Sequence, residues 1–455
     1  MNMSGALRHS LTACLLTIAF AAPAQQSAPI SPLAEALARL LIADPEEADG
    51  LLDRIDAQWD PRAVPMTADT IYVSRSPLIG LRLFGILDKH TGQSLGTDLG
   101  AWWQWMWHQR TPMHPDYPAF KARVFALLDP RFGGYFGPDR AMTIRLDEVV
   151  WGGVAQDGIP PLRTPAMLPA HGAPWLADDH VVFGIEVNGD ARAYPRRILA
   201  WHEMFTDTVG GVAVAGVYCT LCGAMILYHT EHAGTVHELG TSGFLYRSNK
   251  LMYDRATQSL WSTMRGEPVI GPLVGQGIRL ARGAVVTTTW GEWRRRHPHT
   301  SVLSIDTGHA RDYTEGAAYR DYFATDALMF QVPSHDARLA NKAEVLGLLP
   351  AGDADAPLAI DAAFLRARPV HHERIGTTDI VILTDPSGAN RVYASAGERF
   401  ASYDGDRTLT GDDGRVWHLD ENALTSGDRR LARLPAHRAF WFGWHAAFPH
   451  TRLLQ

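Results

Sequence analysis

The chain has 455 residues, 46% of them hydrophobic, and a formal net charge of −7 at pH 7. This length and apolar content are typical of a globular protein with two or three domains of about 150 residues each. The acidic balance argues against nucleic acid as a partner, because proteins that bind nucleic acid carry a basic surface.

The first residues predict export. Arg8 and His9 precede an apolar stretch at residues 11–22, which ends in Ala22-Pro23-Ala24. This is the order of parts in a secretory signal peptide, which we place at residues 1–24. The apolar stretch is shorter than the roughly 20 residues that span a bilayer. We therefore expect an exported protein, periplasmic or extracellular, whose mature chain has no membrane span.

Helical patterns dominate residues 30–145. Ser31-Pro32 and Asp44-Pro45 each place a capping residue before a proline, which is a helix-start signal. The turn at residues 60–65 resembles that of a HEAT-type helix pair. A further helix holds four tryptophans, Trp102, Trp103, Trp105 and Trp107, which we interpret as core packing because large aromatic side chains dominate cores. We predict a helical, HEAT-like N-terminal domain.

From about Val149 the pattern becomes that of strands. Residues 181–187 form a β-type run that ends at Asn188-Gly189, a strong hairpin signal because both central residues of a type I′ turn need positive φ. Residues 197–204 predict a short helix. Strands are predicted at residues 212–218 and 224–228.

The motif between these two strands is Cys219-Thr220-Leu221-Cys222-Gly223. The sequence has only three cysteines, and the third, Cys14, lies in the predicted signal peptide. The mature protein therefore carries one thiol pair, whose spacing suits a metal ion or a small disulfide. An exported pair meets an oxidising environment, so a disulfide is allowed.

The last hundred residues repeat features of this region. Four matches occur in the same order: residues 184–191 with 347–354, Trp201-His202-Glu203 with His371-His372-Glu373, the cysteine turn with residues 384–389, and residues 290–300 with 441–451. Thr384 and Ser387 then replace the two cysteines. We predict an α+β fold in which a β-rich α+β unit is duplicated. The first copy, residues 150–340, carries the site, and the second, residues 341–455, is degenerate.

Three runs of the first copy carry a resemblance to a known family. Asn188 to Pro195, Ile198 to Glu203 and Tyr218 to Gly223 are similar to the hallmark of a large bacterial family known only as domain of unknown function three-one-seven-nine. The resemblance covers roughly residues 150–455. It implies an exported location but no activity. The family usually has proline at Thr220, a difference that loosens the turn without removing a ligand.

Three interpretations of the cysteine pair are open, and the first is a metal site. Cys-x-x-Cys-Gly has the shape of a metal knuckle, which needs two more ligands for tetrahedral coordination. His202 is our first choice for a further ligand, and we expect Glu203 to orient the His202 ring without binding the metal itself. A set of Cys219, Cys222 and His202 suits zinc, copper or iron. Met252 could be a soft ligand for copper, although core packing is the simpler interpretation.

The second interpretation is thiol–disulfide chemistry, with Cys219 and Cys222 as the catalytic residues. Against it, a thioredoxin-like pair starts a helix, whereas residues 224–228 have the pattern of a strand. The third is an inert disulfide in a non-enzymatic binding or structural module, whose helices and tryptophans present a partner surface. We favour the metal site.

Tyr253-Asp254-Arg255 is a weaker candidate. We interpret Asp254 and Arg255 as a buried ion pair. If the pair lines a cleft with the cysteines, Asp254 could act as a general base and Arg255 as an anion clamp. We expect the partner to be a small molecule or a protein.

Overall fold

The computed structural model describes residues 29–109, 111–350 and 356–455. The predicted signal peptide, with Cys14, lies outside the described residues, and so do residues 351–354 of the predicted repeat. In the part of the chain that is described, no helix is both long and apolar enough to cross a membrane.

The N-terminal region is helical, and its first two helices begin at the predicted residues. The Ser31 hydroxyl accepts a hydrogen bond from the Ala34 amide, and the Asp44 carboxylate accepts one from the Glu47 amide. Each cap thereby satisfies a free N–H group of the helix that follows. The helices are α1 (Pro32–Arg39), α2 (Pro45–Ala57), α3 (Val64–Val73), α4 (Pro77–Thr91), α5 (Leu99–His108) and α6 (Tyr117–Ala126).

The tryptophans of α5 pack into the core, as predicted. Trp102, Trp103 and Trp107 are buried in one cluster with Phe84 and Leu87 of α4. The rings of Trp103 and Trp107 stack with centroids 6.2 Å apart. These three side chains therefore hold helices together and do not form an exposed binding surface.

Strands follow from Val149 onward. The elements up to residue 303 are β1 (Val149–Trp151), β2 (Leu162–Arg163), β3 (Met167–Pro169), β4 (Val181–Val187), β5 (Asp190–Pro195), α7 (Arg196–His202), β6 (Met204–Val209), β7 (Val212–Cys219), β8 (Ala224–His229), β9 (Glu231–His232), β10 (Thr235–Val236), β11 (Leu239–Tyr246), β12 (Asn249–Asp254), β13 (Leu260–Ser262), β14 (Glu267–Ile270), β15 (Arg282–Gly283), β16 (Val286–Thr289), α8 (Trp290–Arg296) and β17 (Ser301–Leu303).

A second run of strands ends the chain. Its elements are α9 (Arg320–Phe323), β18 (Glu344–Leu348), β19 (Leu358–Asp361), α10 (Ala362–Arg366), β20 (Val370–Ile375), β21 (Thr378–Thr384), β22 (Asn390–Ala394), β23 (Phe400–Tyr403), β24 (Thr408–Gly411), β25 (Val416–Leu419), β26 (Ala423–Ser426), β27 (Arg429–Leu434), β28 (His437–Phe440), α11 (Trp441–Ala447) and β29 (Arg452–Leu454). The chain thus combines a helical N-terminal region with a β-rich C-terminal region.

The helical region and the first sheet share one hydrophobic core. This sheet has the strand order β1-β11-β12-β13-β14. Phe244 of β11 and Leu251 of β12 join Leu37 of α1 and Phe125 of α6 in one buried cluster. The rings of Phe125 and Phe244 meet edge to face with centroids 5.3 Å apart. Because one core spans both parts, the domain boundaries at residues 145 and 150 stay predictions.

The cysteine pair lies at the end of a hairpin in the second sheet. The strand order is β15-β8-β7-β6-β2, and β7 pairs antiparallel with β8 up to the pair Cys219 and Ala224. The strands before and after the motif are therefore those predicted. Asn188-Gly189 joins β4 to β5, with φ values of +50° and +83°.

Two other sheets share an arrangement of four strands, to which the first adds β3 as a fifth. Their orders are β16-β4-β5-β17-β3 and β28-β18-β19-β29, and β17 runs parallel to β5 as β29 runs parallel to β19. In the first sheet, Trp293 of α8 packs against Gly184 of β4. In the second, Trp444 of α11 packs against Gly347 of β18. A Cβ atom on Gly184 would lie 2.2 Å from the ring of Trp293, and one on Gly347 would lie 2.1 Å from the ring of Trp444.

The eight-stranded sheet of the second run nearly closes on itself. Its order is β20-β21-β22-β27-β26-β25-β24-β23, and the Phe400 amide of β23 donates to Nε2 of His372 in β20 at 3.0 Å. His371-His372-Glu373 therefore lies within a strand, whereas Trp201-His202-Glu203 ends helix α7. The predicted match between these two tripeptides is wrong.

The predicted match between the cysteine turn and residues 384–389 is shifted by one residue. The Tyr218 amide donates to the Glu203 carbonyl at 2.8 Å, and the Thr384 amide donates to the Pro369 carbonyl at 2.9 Å. Thr384 thus occupies the position of Tyr218 in its hairpin, and Asp385 occupies the position of Cys219.

A long irregular segment, residues 304–343, connects β17 to β18 and contains one short helix, α9. We call it the strap. Connections within compact domains are usually about 4–6 residues long, and much longer ones are commonly functional. Hydrogen bonds fix the strap to helices α5 and α11. Gln331 accepts a hydrogen bond from Gln104 of α5 at 3.0 Å, and the Asp336 carbonyl accepts one from the Trp441 ring of α11 at 3.0 Å.

Candidate functional site

The cysteine turn depends on Gly223. Its φ of +59° lies in the left-handed region, which glycine adopts without a Cβ clash. A Cβ atom at this position would also lie 3.0 Å from the ring of Phe440. Glycine therefore allows the chain to turn from β7 into β8 while Phe440 packs against the turn.

Cys219 and Cys222 form a disulfide, with their Cα atoms 5.3 Å apart. The two residues are 2% and 0% exposed, so the pair is almost closed to solvent. The Cys222 sulfur lies 3.5 Å from the carbonyl oxygen of Ser248, in the turn between β11 and β12. A thiol could donate a hydrogen bond to this oxygen and a disulfide cannot, so the surroundings of Cys222 also suit its reduced form.

Hydrogen bonds from three directions hold the backbone of the turn. The Cys222 amide donates to the Cys219 carbonyl at 3.1 Å, and the Phe440 amide donates to the Cys222 carbonyl at 2.7 Å. From the strap, the Tyr322 hydroxyl donates to the Leu221 carbonyl at 2.8 Å. The turn therefore has contacts that fix its shape independently of the S–S bond.

Helix α11 packs on the other side of Cys222. A Cβ atom on Gly443 would lie 2.9 Å from the Cys222 Cβ and 3.4 Å from Oδ1 of Asn249. The Asn249 side-chain nitrogen donates to the Gly443 carbonyl at 3.1 Å, while its Oδ1 is buried and accepts no hydrogen bond from the described residues. An acceptor without a donor thus lies near Cys222.

His202 uses both of its ring nitrogens within the protein. Nδ1 lies 2.8 Å from the Pro160 carbonyl, and Nε2 lies 2.5 Å from the hydroxyl of Tyr313 in the strap. A carbonyl can only accept, so Nδ1 carries the proton and Nε2 accepts from the tyrosine. Burial lowers the pKa of His202 to about 4. The imidazole is therefore neutral at pH 7 and joins the strap to α7.

Glu203 has a different role from the predicted one. It ends α7 with a φ of +57°, and its carboxylate lies 3.3 Å from Nζ of Lys250. Lys250 also donates to the Glu203 carbonyl at 3.0 Å. Both residues are buried; burial lowers the pKa of Lys250, and the neighbouring Glu203 opposes that shift. Glu203 thus ties α7 to β12, while Pro160 and Tyr313 orient His202.

The described residues do not fit the predicted metal site. Cys219 and Cys222 are bonded to each other, and His202 has no free ring nitrogen. Across residues 29–109, 111–350 and 356–455, no group of three or more His, Cys, Asp or Glu side chains is placed to hold a metal ion. Met252 lies in the core near Trp261. The Cys/His site for zinc, copper or iron stays a prediction.

Asp254 and Arg255 do not pair with each other. The buried Asp254 carboxylate lies 3.1 Å from Nδ1 of His237, whereas Arg255 donates to Asp157 at 3.1 Å. Successive residues of an extended chain point in opposite directions, which explains the separate partners. The predicted ion pair is wrong, and neither residue lines the cavity beside the cysteine turn.

That cavity has a volume of about 460 Å³. Gly223, Tyr218 and Phe440 form the part of its wall next to the cysteines. Its charged lining is mainly basic: Arg196, Arg197, Arg320, Lys342 and Arg438 against Glu315 and Glu344. In a protein with a net charge of −7, the cavity is a local concentration of positive charge.

Several residues around the cysteine pair were not predicted from the sequence. Tyr313 and Tyr322 lie in the strap, which has no helical or strand period to place them. Lys250 and Gly443 did carry signals. A lysine directly before the apolar run Leu251 to Tyr253 suggests a buried ion pair. A glycine between aromatic residues of a helix suggests a close packing contact.

The fold and the site define an α+β protein with a buried disulfide on a hairpin, next to a basic cavity. The chain belongs to the family described as "Protein of unknown function (DUF3179)", whose model matches residues 156–451. This confirms the resemblance seen in the sequence. No curated protein matches the chain, and no solved structure does.

Proposed function

We propose that this chain is an exported thiol–disulfide redox protein, with Cys219 and Cys222 as its redox centre. The observation that supports this most is the set of hydrogen bonds that fixes the turn without the S–S bond. A disulfide that is not needed to shape its loop is free to open and close. This is the second of the three interpretations that the sequence left open.

The size of the loop favours the same conclusion. A disulfide stabilises a protein mainly by restricting the unfolded chain, and the effect grows with loop length. For a loop as short as Cys219 to Cys222 the loop-closure model gives only about 2 kcal/mol. An inert clamp at this position would therefore contribute little that the surrounding hydrogen bonds do not already provide.

The proposed chemistry is exchange with a dithiol. A thiolate of the donor attacks one sulfur, the Cys219–Cys222 bond breaks, and a mixed disulfide forms. The second thiol of the donor then attacks the mixed disulfide, and the donor leaves as its own disulfide. The cysteine pair has gained two electrons and two protons. The Ser248 carbonyl is placed to accept a hydrogen bond from the reduced Cys222 thiol.

Exchange requires access to sulfur atoms that are now buried. The strap contacts the turn through Tyr322 and contacts α7 through Tyr313. We propose that local release of the strap exposes the pair to its partner. A cover of this kind would keep the disulfide from reacting with every thiol in its surroundings.

We also propose that the two similar sheets arose by duplication. The Trp293 ring donates to the Thr300 hydroxyl at 3.0 Å, and the Trp444 ring donates to the Thr451 hydroxyl at 2.9 Å. These equivalent bonds, together with the shared strand order, support one ancestral unit. The second unit has Asp385 at the position of Cys219, so its role would be structural. The HEAT-like character of the helices stays a prediction.

Export is part of the proposal. It is supported by the signal-peptide pattern at residues 1–24, and the disulfide is compatible with an oxidising compartment. The partner would then be a dithiol protein or small molecule of that compartment.

The test is the reduction potential of the pair in a Cys14→Ser chain, which leaves Cys219 and Cys222 as the only cysteines. The protein is equilibrated with mixtures of reduced and oxidised dithiothreitol, alkylated, and its free thiols are counted by mass. We expect a midpoint above about −300 mV, because structural disulfides of secreted proteins lie below that value. A midpoint below it would contradict the redox function and favour a structural disulfide.

The metal content of the reduced protein is measured in the same samples. About one metal ion per chain, lost in Cys219→Ser, would favour the metal interpretation over the redox one. A reduced protein that binds no metal and is reoxidised reversibly would support the redox pair.

A further inference from the structure

We infer that the cavity beside the cysteine turn binds a small organic carboxylate. The basic side chains would hold the carboxylate, and the aromatic wall would contact the apolar body of the ligand. This inference goes beyond the proposed redox function and does not rest on it, because neither cysteine is among the residues that carry it.

Two of the basic side chains already have acidic partners. Arg196 lies 3.5 Å from Glu315, and Arg438 lies 2.6 Å from Glu344. These pairs neutralise both acidic residues of the cavity lining. The carboxylates of the cavity therefore do not balance its remaining positive charges.

The remaining basic side chains are Arg197, Arg320 and Lys342. Arg197 is oriented by the Trp175 carbonyl at 3.2 Å, and Lys342 is oriented by the Thr325 carbonyl at 2.6 Å. Among the residues that the structure describes, Arg320 has neither a hydrogen bond nor an ion pair through its side chain. Arg197, Arg320 and Lys342 thus make no ion pair with a described carboxylate, although Asp312 acts on the two arginines and Asp326 on the lysine over a longer distance. Two of the three are held in place by backbone carbonyls.

Tyr218 supplies an unpaired hydroxyl to the same cavity. The residue is 3% exposed, and its hydroxyl makes no hydrogen bond with any described residue, but the hydroxyl oxygen is not fully enclosed by the protein. The charges acting on it are Arg196, Glu344, Glu203 and Glu315, and all but Glu203 line the cavity. The hydroxyl therefore faces the cavity, where a ligand oxygen would accept its hydrogen bond in place of water.

The aromatic part of the cavity wall favours an organic anion over an inorganic one. Phe183, Phe323 and Phe440 line the cavity together with Tyr218. A small inorganic anion would leave these rings in contact with water, whereas an apolar body covers them. The volume of about 460 Å³ lies within the usual range for small-molecule sites. A carboxylate on an aromatic or aliphatic body satisfies both the charges and the rings.

Phe440 connects this site with the cysteine turn. Its ring lines the cavity, and its amide donates to the Cys222 carbonyl at 2.7 Å. A carboxylate bound in the cavity would therefore lie next to the proposed redox pair, and its binding could affect the cysteine turn through Phe440.

The test is calorimetric titration of the full chain with 3-phenylpropionate, its neutral amide and inorganic phosphate. We expect the carboxylate to bind at least about ten-fold more tightly than the amide, and its affinity to fall as salt is added, because exposed charges are screened. Equal affinity for acid and amide, tighter binding of inorganic phosphate, or no binding of the carboxylate up to about 10 mM would overturn the inference.

Two variants assign the site. Arg320→Glu should weaken binding of 3-phenylpropionate by about ten- to a hundred-fold, the effect of losing a hydrogen bond to a charged group. Arg311→Glu makes the same charge change in the strap but outside the cavity lining, and it should leave the affinity within about two-fold. Equal losses in both variants would mean that net charge, not the cavity, binds the anion.

Tyr218→Phe removes only the unpaired hydroxyl. It should weaken binding by about five-fold without lowering the melting temperature, since the hydroxyl has no partner in the described protein. A melting temperature that falls while the affinity stays unchanged would overturn the assignment of this hydroxyl to the ligand. These readouts are separate from the thiol count, so failure of the redox function would not be mistaken for failure of the anion site.

Discussion

Gly443 of helix α11 lies so close to Cys222 that a Cβ atom on Gly443 would be 2.9 Å from the Cβ of Cys222. In Gly443→Ala the helix and the cysteine turn must move apart. Overpacking of this kind usually costs about 1–3 kcal/mol. We expect the free energy of unfolding, measured in urea at pH 7, to fall by that amount.

Gly80→Ala is the matched control. Gly80 also lies within a helix, α4, but no atom lies within 4 Å of the position of its Cβ. Alanine is the better helix former, so this variant should gain up to about 1 kcal/mol. If Gly443→Ala were as stable as Gly80→Ala, α11 could not be packed against the disulfide as described.

Tyr322→Phe tests the strap as the cover of the pair. The hydroxyl of Tyr322 donates to the Leu221 carbonyl at 2.8 Å, and its loss should weaken the closed position by about 1 kcal/mol. We expect dithiothreitol to reduce the disulfide about five-fold faster, as the open form becomes more populated. The measurement is the rate at which free thiols appear.

Tyr319→Phe provides the comparison within the same segment. The Tyr319 hydroxyl has no hydrogen bond to the described residues, so its removal should leave the rate of reduction unchanged. If Tyr319→Phe and Tyr322→Phe were reduced equally fast, release of the strap at Leu221 could not be the step that exposes the pair.

The hairpins could be predicted from the sequence because their signals are local. Asn188-Gly189 specifies a turn through two positive φ values, and Gly223 marks the return of the chain after the cysteines. In both places, neighbouring residues determine the backbone. The helix starts at Ser31 and Asp44 have the same local origin.

The surroundings of the pair could not be predicted, because they depend on residues distant in the chain. Tyr322 is separated from Leu221 by 101 residues, and Tyr313 from His202 by 111. His202 has the residue type of a metal ligand and lies close to the motif in sequence. Only the folded chain shows that the Pro160 carbonyl and Tyr313 use both of its nitrogens.

His202 should make the protein less stable in mild acid. Its pKa is about 4 in the folded state and about 6.5 in the unfolded chain. Between these values the unfolded state binds the proton more tightly, so stability is complete above pH 6.5 and is lost as pH falls toward 4. We expect His202 alone to contribute a loss of about 2 kcal/mol between pH 7 and pH 5.

Comparison with His202→Gln isolates this contribution from that of other histidines. Glutamine cannot be protonated in this range, so the variant should lose about 2 kcal/mol less than the wild type between pH 7 and pH 5 in urea unfolding. Identical pH dependence in the two proteins would mean that His202 is not held neutral by burial.

Arg391→Met probes the buried ion pair of Asp385, the residue that lies at the position of Cys219 in the hairpin of β21 and β22. Arg391 is 1% exposed and donates to Asp385 and to Glu421, each at 2.8 Å. Removing one partner of a buried pair leaves an uncompensated charge and costs about 3–5 kcal/mol. Arg296 and Arg433 also approach these two carboxylates, at 3.7 and 2.9 Å. We therefore expect a loss of about 3 kcal/mol in urea unfolding at pH 7.

Arg374→Met is the matched control, because Arg374 makes an ion pair with Asp379 at 2.6 Å but its side chain is 65% exposed. Exposed pairs contribute little to stability, so this variant should unfold almost as the wild type does. A loss in Arg391→Met no larger than in Arg374→Met would mean that the network around Asp385 is open to water. In that case Asp385 would not be held by a buried charge pair, and the structural role proposed for residues 341–455 would lose its support.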